Sequence, residues 1–255
     1  MLAILSPSKT IDFSPFENQF SHTTPEFTQQ SLYIIRQAKQ WNVNDISKIM
    51  GISNSLSTKV FDYFQNHTAK MEKAILKHAL FVFNGDAYQG MDAMSMNEDV
   101  VEYTQNHLRI IDGLYGVLRP LDLIQPHRME MGLKFKVGNS QDLYHFWSDV
   151  ITQSLRSQLD IIKSNVVVNL ASVEYSKAID FKMLGAEVIT PSFLNYRNGE
   201  YKMVSFWAKK ARGMMTRFIM EHKITDPTDL MGFDQEYYYE KSLSKPEKPV
   251  FVSQK

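Results

Sequence analysis

HLRIIDGLYGVLRPLDLIQPHRMEMG, residues 107–132, gathers three arginines (Arg109, Arg119, Arg128), three glycines (Gly113, Gly116, Gly132) and two prolines (Pro120, Pro126). The apolar run 108–111 reads as a buried strand. Gly113 and Gly116 break it, since glycine admits positive φ and close approach of another group. Arg119 and Arg128 each stand within two residues of a proline, which stiffens the backbone presenting them. A loop so constrained is not a generic connection. Its arginines either reach a ligand or cap helix ends and pair with Asp112, Asp122 and Glu130, and the sequence leaves both open.

Outward from this stretch, the chain has 255 residues, 44% of them apolar, which fits one large domain or two small ones and excludes a disordered chain. Lys+Arg and Asp+Glu each number 28, so binding of a polyanion requires a local basic patch rather than a global field. There is no cysteine, which excludes disulfides, thiolate metal sites and a cysteine nucleophile. The first residues, MLAILSPSKT, have no basic region before the apolar run and Lys9 after it, the reverse of a signal peptide. No apolar run approaches the ~20 residues of a membrane span. A soluble, cytoplasmic protein is expected.

Residues 2–5 read as a buried strand running into Ser6, Pro7, Ser8, Lys9 and Thr10. That turn delivers hydroxyls and an ammonium to a sheet end, a frequent ligand position. Residues 12–24 read as an irregular loop. Residues 25–40 have helical periodicity, with Thr24 as N-cap and Pro25 at N1. Residues 71–78 read as a short helix, and 79–83 as a strand ending in a polar turn that carries Asp86, a candidate acid or base or simply a turn residue. A helix is expected over 97–106, strands over 133–137 and 165–170, and an amphipathic helix over 142–159. Asn169, Ser172 and Glu174 follow the strand at 165–170 and again place polar groups at a sheet end. Residues 187–194 and 201–206 read as a hairpin turning at Asn198 and Gly199. The end of the chain, beyond 239, reads as a frayed tail.

Two segments suggest phosphate binding. NDISKIMGIS, residues 44–53, runs one short helix to Gly51, and 54–65 form a second. The spacing of Ile46, Ile49, Gly51, Ile52, Ser57, Val60 and Phe61 follows a helix-hairpin-helix, over about 43–66. In that motif the hairpin amides and a helix N-terminus hold a DNA phosphate, so Gly51, Ile52 and Ser53 are the candidate contacts. Ser53 stands where the motif carries its second glycine. An ordinary αα-hairpin would show the same pattern. The second segment, AKKARGMMTRFI from Ala208, carries Lys209, Lys210, Arg212 and Arg217. As a helix it puts Lys209 and Arg212 near one face and the other two elsewhere. Three of these cations fall at the expected start of the helix, unfavourable to its dipole, which points to another reason for them.

SPSKT at 6–10, FNGDAYQG at 83–90, the stretch from Leu108, NLASVEY at 169–175 and AKKARGMMTRFI together resemble the YaaA peroxide-stress family (UPF0246), over nearly the whole chain. The resemblance implies a single α+β domain over 1–255, a compact mixed sheet with surrounding helices and an inserted helix-hairpin-helix. It also implies a cytoplasmic protein of the hydrogen-peroxide response that limits damage from intracellular iron and binds double-stranded or structured DNA through the hairpin and a basic cleft. Tyrosine is expected to be more usual where this chain has His127, so a hydroxyl there is not essential if function is retained.

Two function classes remain. In one, Gly51, Ile52, Ser53, Lys209, Lys210, Arg212 and Arg217, with Lys9, Arg109, Arg119 or Arg128, hold DNA phosphates without sequence choice. In the other, Lys9, Asp86, Glu130 or Glu174 act on a nucleobase, nucleotide or phosphorylated compound in a pocket lined by Lys9, Arg119 and Glu130. Seven scattered histidines give no HxxxH or ExxH pairing, so no metal site and no cofactor is expected, and a monomer is favoured.

Overall fold

Four apolar residues, Leu2–Leu5, are covered on both faces and form the central strand of the larger sheet. The computed structural model describes residues 1–15 and 20–254, apart from the side chain of Met71. In chain order the elements are β1 (Leu2–Leu5), α1 (Thr28–Ala38), α2 (Val43–Met50), α3 (Asn54–Asn66), β2 (Lys77–His78), α4 (Ala79–Val82), α5 (Asp86–Met91), α6 (Glu98–His107), β3 (Leu108–Asp112), β4 (Gly116–Leu118), β5 (Leu123–Ile124), α7 (Leu143–Ile161), β6 (Val166–Asn169), α8 (Val173–Ser176), α9 (Phe181–Leu184), β7 (Glu187–Ile189), β8 (Ser192–Arg197), β9 (Glu200–Lys202), α10 (Ser205–Glu221), β10 (Tyr238–Tyr239) and β11 (Val250–Ser253).

The larger sheet has the order β4-β3-β1-β6-β7. β1 pairs in parallel with β3 and β6, β6 in parallel with β7, and only β4 runs against its neighbour. A second sheet has the order β10-β11-β8-β9, and β2 pairs with β5. The fold is α+β, with α7 laid on the main sheet through the fully buried Trp147, whose Nε1–H donates to Gly113 O at 2.9 Å. Asp142 caps α7 by accepting from His145 N–H. Among the described residues, no helix is long and apolar enough to cross a membrane.

Several expectations change. Residues 79–82 are helical rather than extended: they are buried on every side, where period cannot separate strand from helix. The N–H groups of Ala79 and Leu80 donate to Asp122 O and Pro120 O. The helix expected over 71–78 is one 3-10 turn, Met71–Lys73, followed by β2. Residues 133–137 form no strand; Phe135 instead packs edge-on against Trp41, with ring centroids 4.8 Å apart. Pro191 divides the strand expected over 187–194 between two sheets, as β7 and β8. The first helix begins at Thr28, beyond the expected Thr24 cap. The tail is not frayed: β11 is buried and pairs in parallel with β8. Of the loop at 12–24, residues 16–19 lie outside the described residues, as does residue 255 at the end of the tail.

Candidate functional site

The chain leaves β1 to form β3 on one side and later β6 on the other. Strand order therefore reverses at β1, and the crevice beyond the carboxyl ends of such strands is a usual ligand position. Here those ends carry residues 6–10, Asp112 and residues 170–174. Ser6 Oγ accepts from Ser172 N–H at 2.8 Å and so ties two of the ends together.

Two hollows of about 680 and 540 Å³ open along this edge and share Lys9 and Glu174. The first also takes Lys48 from the last turn of α2, Lys134 and Glu130; the second takes Asp86, Lys209 and Arg212. Five cations thus line one cleft against three carboxylates. The carboxylates are only partly matched. Lys9 Nζ lies 3.5 Å from Glu130 Oε1, which also accepts from Arg128 Nε at 3.0 Å. Glu174 Oε1 accepts from Gly132 N–H, and Lys209 Nζ is 3.9 Å from Asp86. Among the described residues, Arg212 has no acidic side chain within ion-pair distance. Burial lowers its guanidinium below the ordinary arginine range. A half-buried cation without a carboxylate is a cost that a bound anion relieves. Glu130 Oε2 is likewise buried with no hydrogen-bond partner. An amine beside a buried carboxylate can also exchange a proton with it.

Below Lys9 and Glu130 lies a void of about 10 Å³, the size of one water, lined in part by Asp112 and His127. His127 Nδ1 is 3.0 Å from Gln125 O, and its Nε2 is 3.1 Å from Asp112 Oδ2. A carbonyl and a carboxylate only accept, so both ring nitrogens donate and the ring is an imidazolium. Burial works against that charge and is the largest single influence, but the charge and hydrogen bond of Asp112, with Gln125 O and Glu130, together outweigh it, so the His127 pKa is raised. Asp112 Oδ1 meanwhile accepts from the N–H groups of Leu114 and Tyr115, which fixes the turn after β3. Asp112→Asn keeps the shape and removes the charge; it is expected to cost about 2 kcal/mol in chemical denaturation. The sign with pH follows from the raised folded value. The pair's stabilisation is full below the ordinary histidine value of 6.5 and fades as pH rises through the folded pKa, so the gap between wild type and Asp112→Asn should narrow in alkali. A gap that widens there contradicts the assignment.

The family model described as peroxide stress protein YaaA matches residues 1–243. The chain belongs to the YaaA family of peroxide stress proteins. It is also similar to a UPF0246 protein of Polynucleobacter necessarius subsp. necessarius (strain STIR1), 43% identical over 253 residues that cover 98% of each chain.

In this YaaA-family chain, the cations named from sequence separate into three groups. Lys9, Lys209, Arg212 and Arg128 stand at the carboxyl end of the sheet. Arg109 and Arg119 stand at the other end. The turn after β3 sends β4 back antiparallel, with Leu118 beside Ile110, so Arg119 returns to the level of Arg109. Arg109 is buried, donates to Gln105 O and Leu108 O, and burial with the nearby Arg119 pulls its pKa down to about 10. Arg119 grips Asp122 Oδ1 through Nε and Nη2 at 3.1 and 2.8 Å and donates to Thr24 O. The expected pocket of Lys9, Arg119 and Glu130 therefore loses Arg119, because hairpin geometry removes it. Lys210 pairs with Glu236, and Arg217 with Glu221 and Asp92, away from the cleft face. α10 begins at Ser205, so Lys209 and Lys210 fall beyond the first turn and the expected conflict with the helix dipole does not arise.

The hairpin at 43–66 consists of α2 and α3 packed together, with Gly51 left-handed at φ +62° and open space where a Cβ would stand. Ser53 is extended, so glycine is not needed there; its hydroxyl accepts from Leu56 N–H and already caps α3. Lys48 and Lys134 were not singled out from the sequence. Lys134 sits in a segment that alternates like a strand, and Lys48 lies on a helix far along the chain from both Lys9 and Lys134, so only the fold brings them together. Among the described residues, no group of three or more histidine or acidic side chains is arranged to hold a metal ion.

Proposed function

We propose that this protein acts in the peroxide stress response by holding DNA in the cleft at the carboxyl ends of β1, β3 and β6. Phosphates would rest on Lys9, Lys48, Lys134, Lys209 and Arg212, with the open apex at Gly51 and Ile52 extending the contact. The single observation behind this is Arg212: half-buried, unmatched by any carboxylate among the described residues, and next to Lys209 and Lys9 in one groove. Cations on backbone phosphates give affinity without base choice, so selectivity is for DNA structure rather than sequence. Damage linked to intracellular iron is then limited indirectly, through the DNA that the protein shields, in the cytoplasm. The test is fluorescence anisotropy with duplex and bubble DNA across a salt series. With about four to five phosphates neutralised, the slope of log affinity against log salt should be roughly −4 on duplex. A slope near zero, or no binding at low salt, removes the proposal.

A further inference from the structure

We propose that the hollow of about 540 Å³ at the ends of β1 and β6 takes one unpaired nucleotide of DNA, guanine by preference, with its phosphate on Lys209 and Arg212 and its base edge on Glu174. This selection presupposes that the cleft holds DNA, and it names the DNA that the cleft prefers.

The observation that points to a base is Glu174. Among the described residues, no cation lies within ion-pair distance of its carboxylate, although Lys9, Lys209 and Arg212 line the same hollow and the two lysines pair elsewhere. Its Oε1 accepts from Gly132 N–H at 3.2 Å. In a groove that gripped phosphates alone, such a carboxylate is a cost, since it repels every phosphate that enters. It also stays apart from Arg212, the cation that lacks a carboxylate. The hollow thus offers a cationic and an anionic station at once. A nucleotide matches both, because its phosphate accepts hydrogen bonds and its base carries N–H donors.

Depth and walls agree. The hollow reaches down to Leu5 and Leu170, each 1% exposed, whereas a phosphate held on lysines needs only the rim. Val173, 80% exposed, stands in it and supplies an apolar face for a planar ring. The volume falls within the range of small-molecule pockets.

The chemistry of Glu174 narrows the base. A carboxylate only accepts, through two oxygens. Guanine offers two adjacent donors, N1–H and the 2-amino group, and so meets both. Thymine has one N–H between two carbonyls. Adenine and cytosine set their amine beside a bare ring nitrogen, which a carboxylate repels. In paired DNA these edges are turned inward, so the nucleotide has to be unpaired. Extrusion costs least where the base already lacks a partner, which favours bulges and bubbles.

The test is competition anisotropy with duplexes that carry one extra nucleotide, with guanine, hypoxanthine or thymine as its base, beside the fully paired duplex. The proteins are the full chain and its Glu174→Gln variant. The guanine bulge should bind about tenfold more tightly than the thymine bulge, with hypoxanthine, which lacks the 2-amino group, in between. The thymine bulge shares the kink, so the difference reports the base and not the bend. Glu174→Gln keeps an acceptor for Gly132 N–H, so the local fold should persist, but it turns an amide N–H₂ toward the donors of guanine. It should level the guanine and thymine affinities. Equal wild-type affinities for those two bulges overturn the base site. So does a guanine preference that survives in Glu174→Gln. The paired duplex separates this site from the cleft: if it binds with the expected salt slope while the bulges show no preference, the cleft stands and the base site falls, and no binding to any of the duplexes removes both.

Discussion

Gly213→Ala should destabilise the protein by at least about 3 kcal/mol, enough to deplete the folded chain in cells. By helix propensity alone the change would stabilise by about 1 kcal/mol, so the two expectations differ in sign. Contact decides between them. A Cβ on Gly213 would stand 1.7 Å from Ala87 O, 2.6 Å from Ala87 C and 2.8 Å from Met91 N. These are backbone atoms of α5 and cannot swing aside. The crossing is close from both directions, since a Cβ on Gly90 would meet Lys210 O at 2.2 Å. This is the joint that holds Lys209 and Arg212 beside Asp86 and the Ser6–Lys9 turn, so prising it open damages the cleft with the fold. Gly232→Ala is the control: its nearest contact is Phe218 Cζ at 3.9 Å, and it should be tolerated. Thermal melts of the two variants compare them directly; a Gly213→Ala melt at the wild-type temperature would show that α5 and α10 do not meet this way.

Lys209→Glu/Arg212→Glu should lower duplex affinity on the order of 100-fold at moderate salt, since two phosphate contacts are lost and two repulsions replace them. Arg212 is expected to carry the larger part, because among the described residues its half-buried guanidinium has no carboxylate to return to when DNA leaves. Lys209 already has Asp86 at 3.9 Å and gives up part of that interaction on binding. Lys209→Gln/Arg212→Gln removes the charge without adding an acid beside Glu174, and should give a smaller loss in the same direction. Lys223→Glu makes the same charge change beyond the end of α10, where Lys223 pairs with Asp99, and should leave affinity nearly intact.

Much of this was readable before the fold. Leu2–Leu5, β3, β6 and α7 follow from apolar runs and periodicity, and the polar turns after β1 and β6 carried Lys9, Ser172 and Glu174 to the site. The arginine-rich stretch was harder, because its meaning depends on a reversal. The residues that break the strand after Ile111 look the same whether the chain moves on or doubles back. Only the pairing of Asp112 with Gly116 shows that Arg119 returns to the far end, where Asp122 takes it. Residues 79–82 and 250–253 misled for a related reason. A four-residue buried element draws its conformation from its neighbours, Asp122 and Pro120 for one and β8 for the other, and these are distant in sequence. Lys48 and Lys134 are surface lysines by pattern and become cleft lysines only through the packing of the hairpin.

The most direct measurement is the salt dependence of duplex binding for wild type beside Lys209→Glu/Arg212→Glu. If the cleft holds phosphates on these side chains, the log–log slope of the double variant should be shallower by about two, while that of Lys223→Glu matches wild type. Equal slopes in all three proteins would mean that DNA, if bound at all, lies somewhere else.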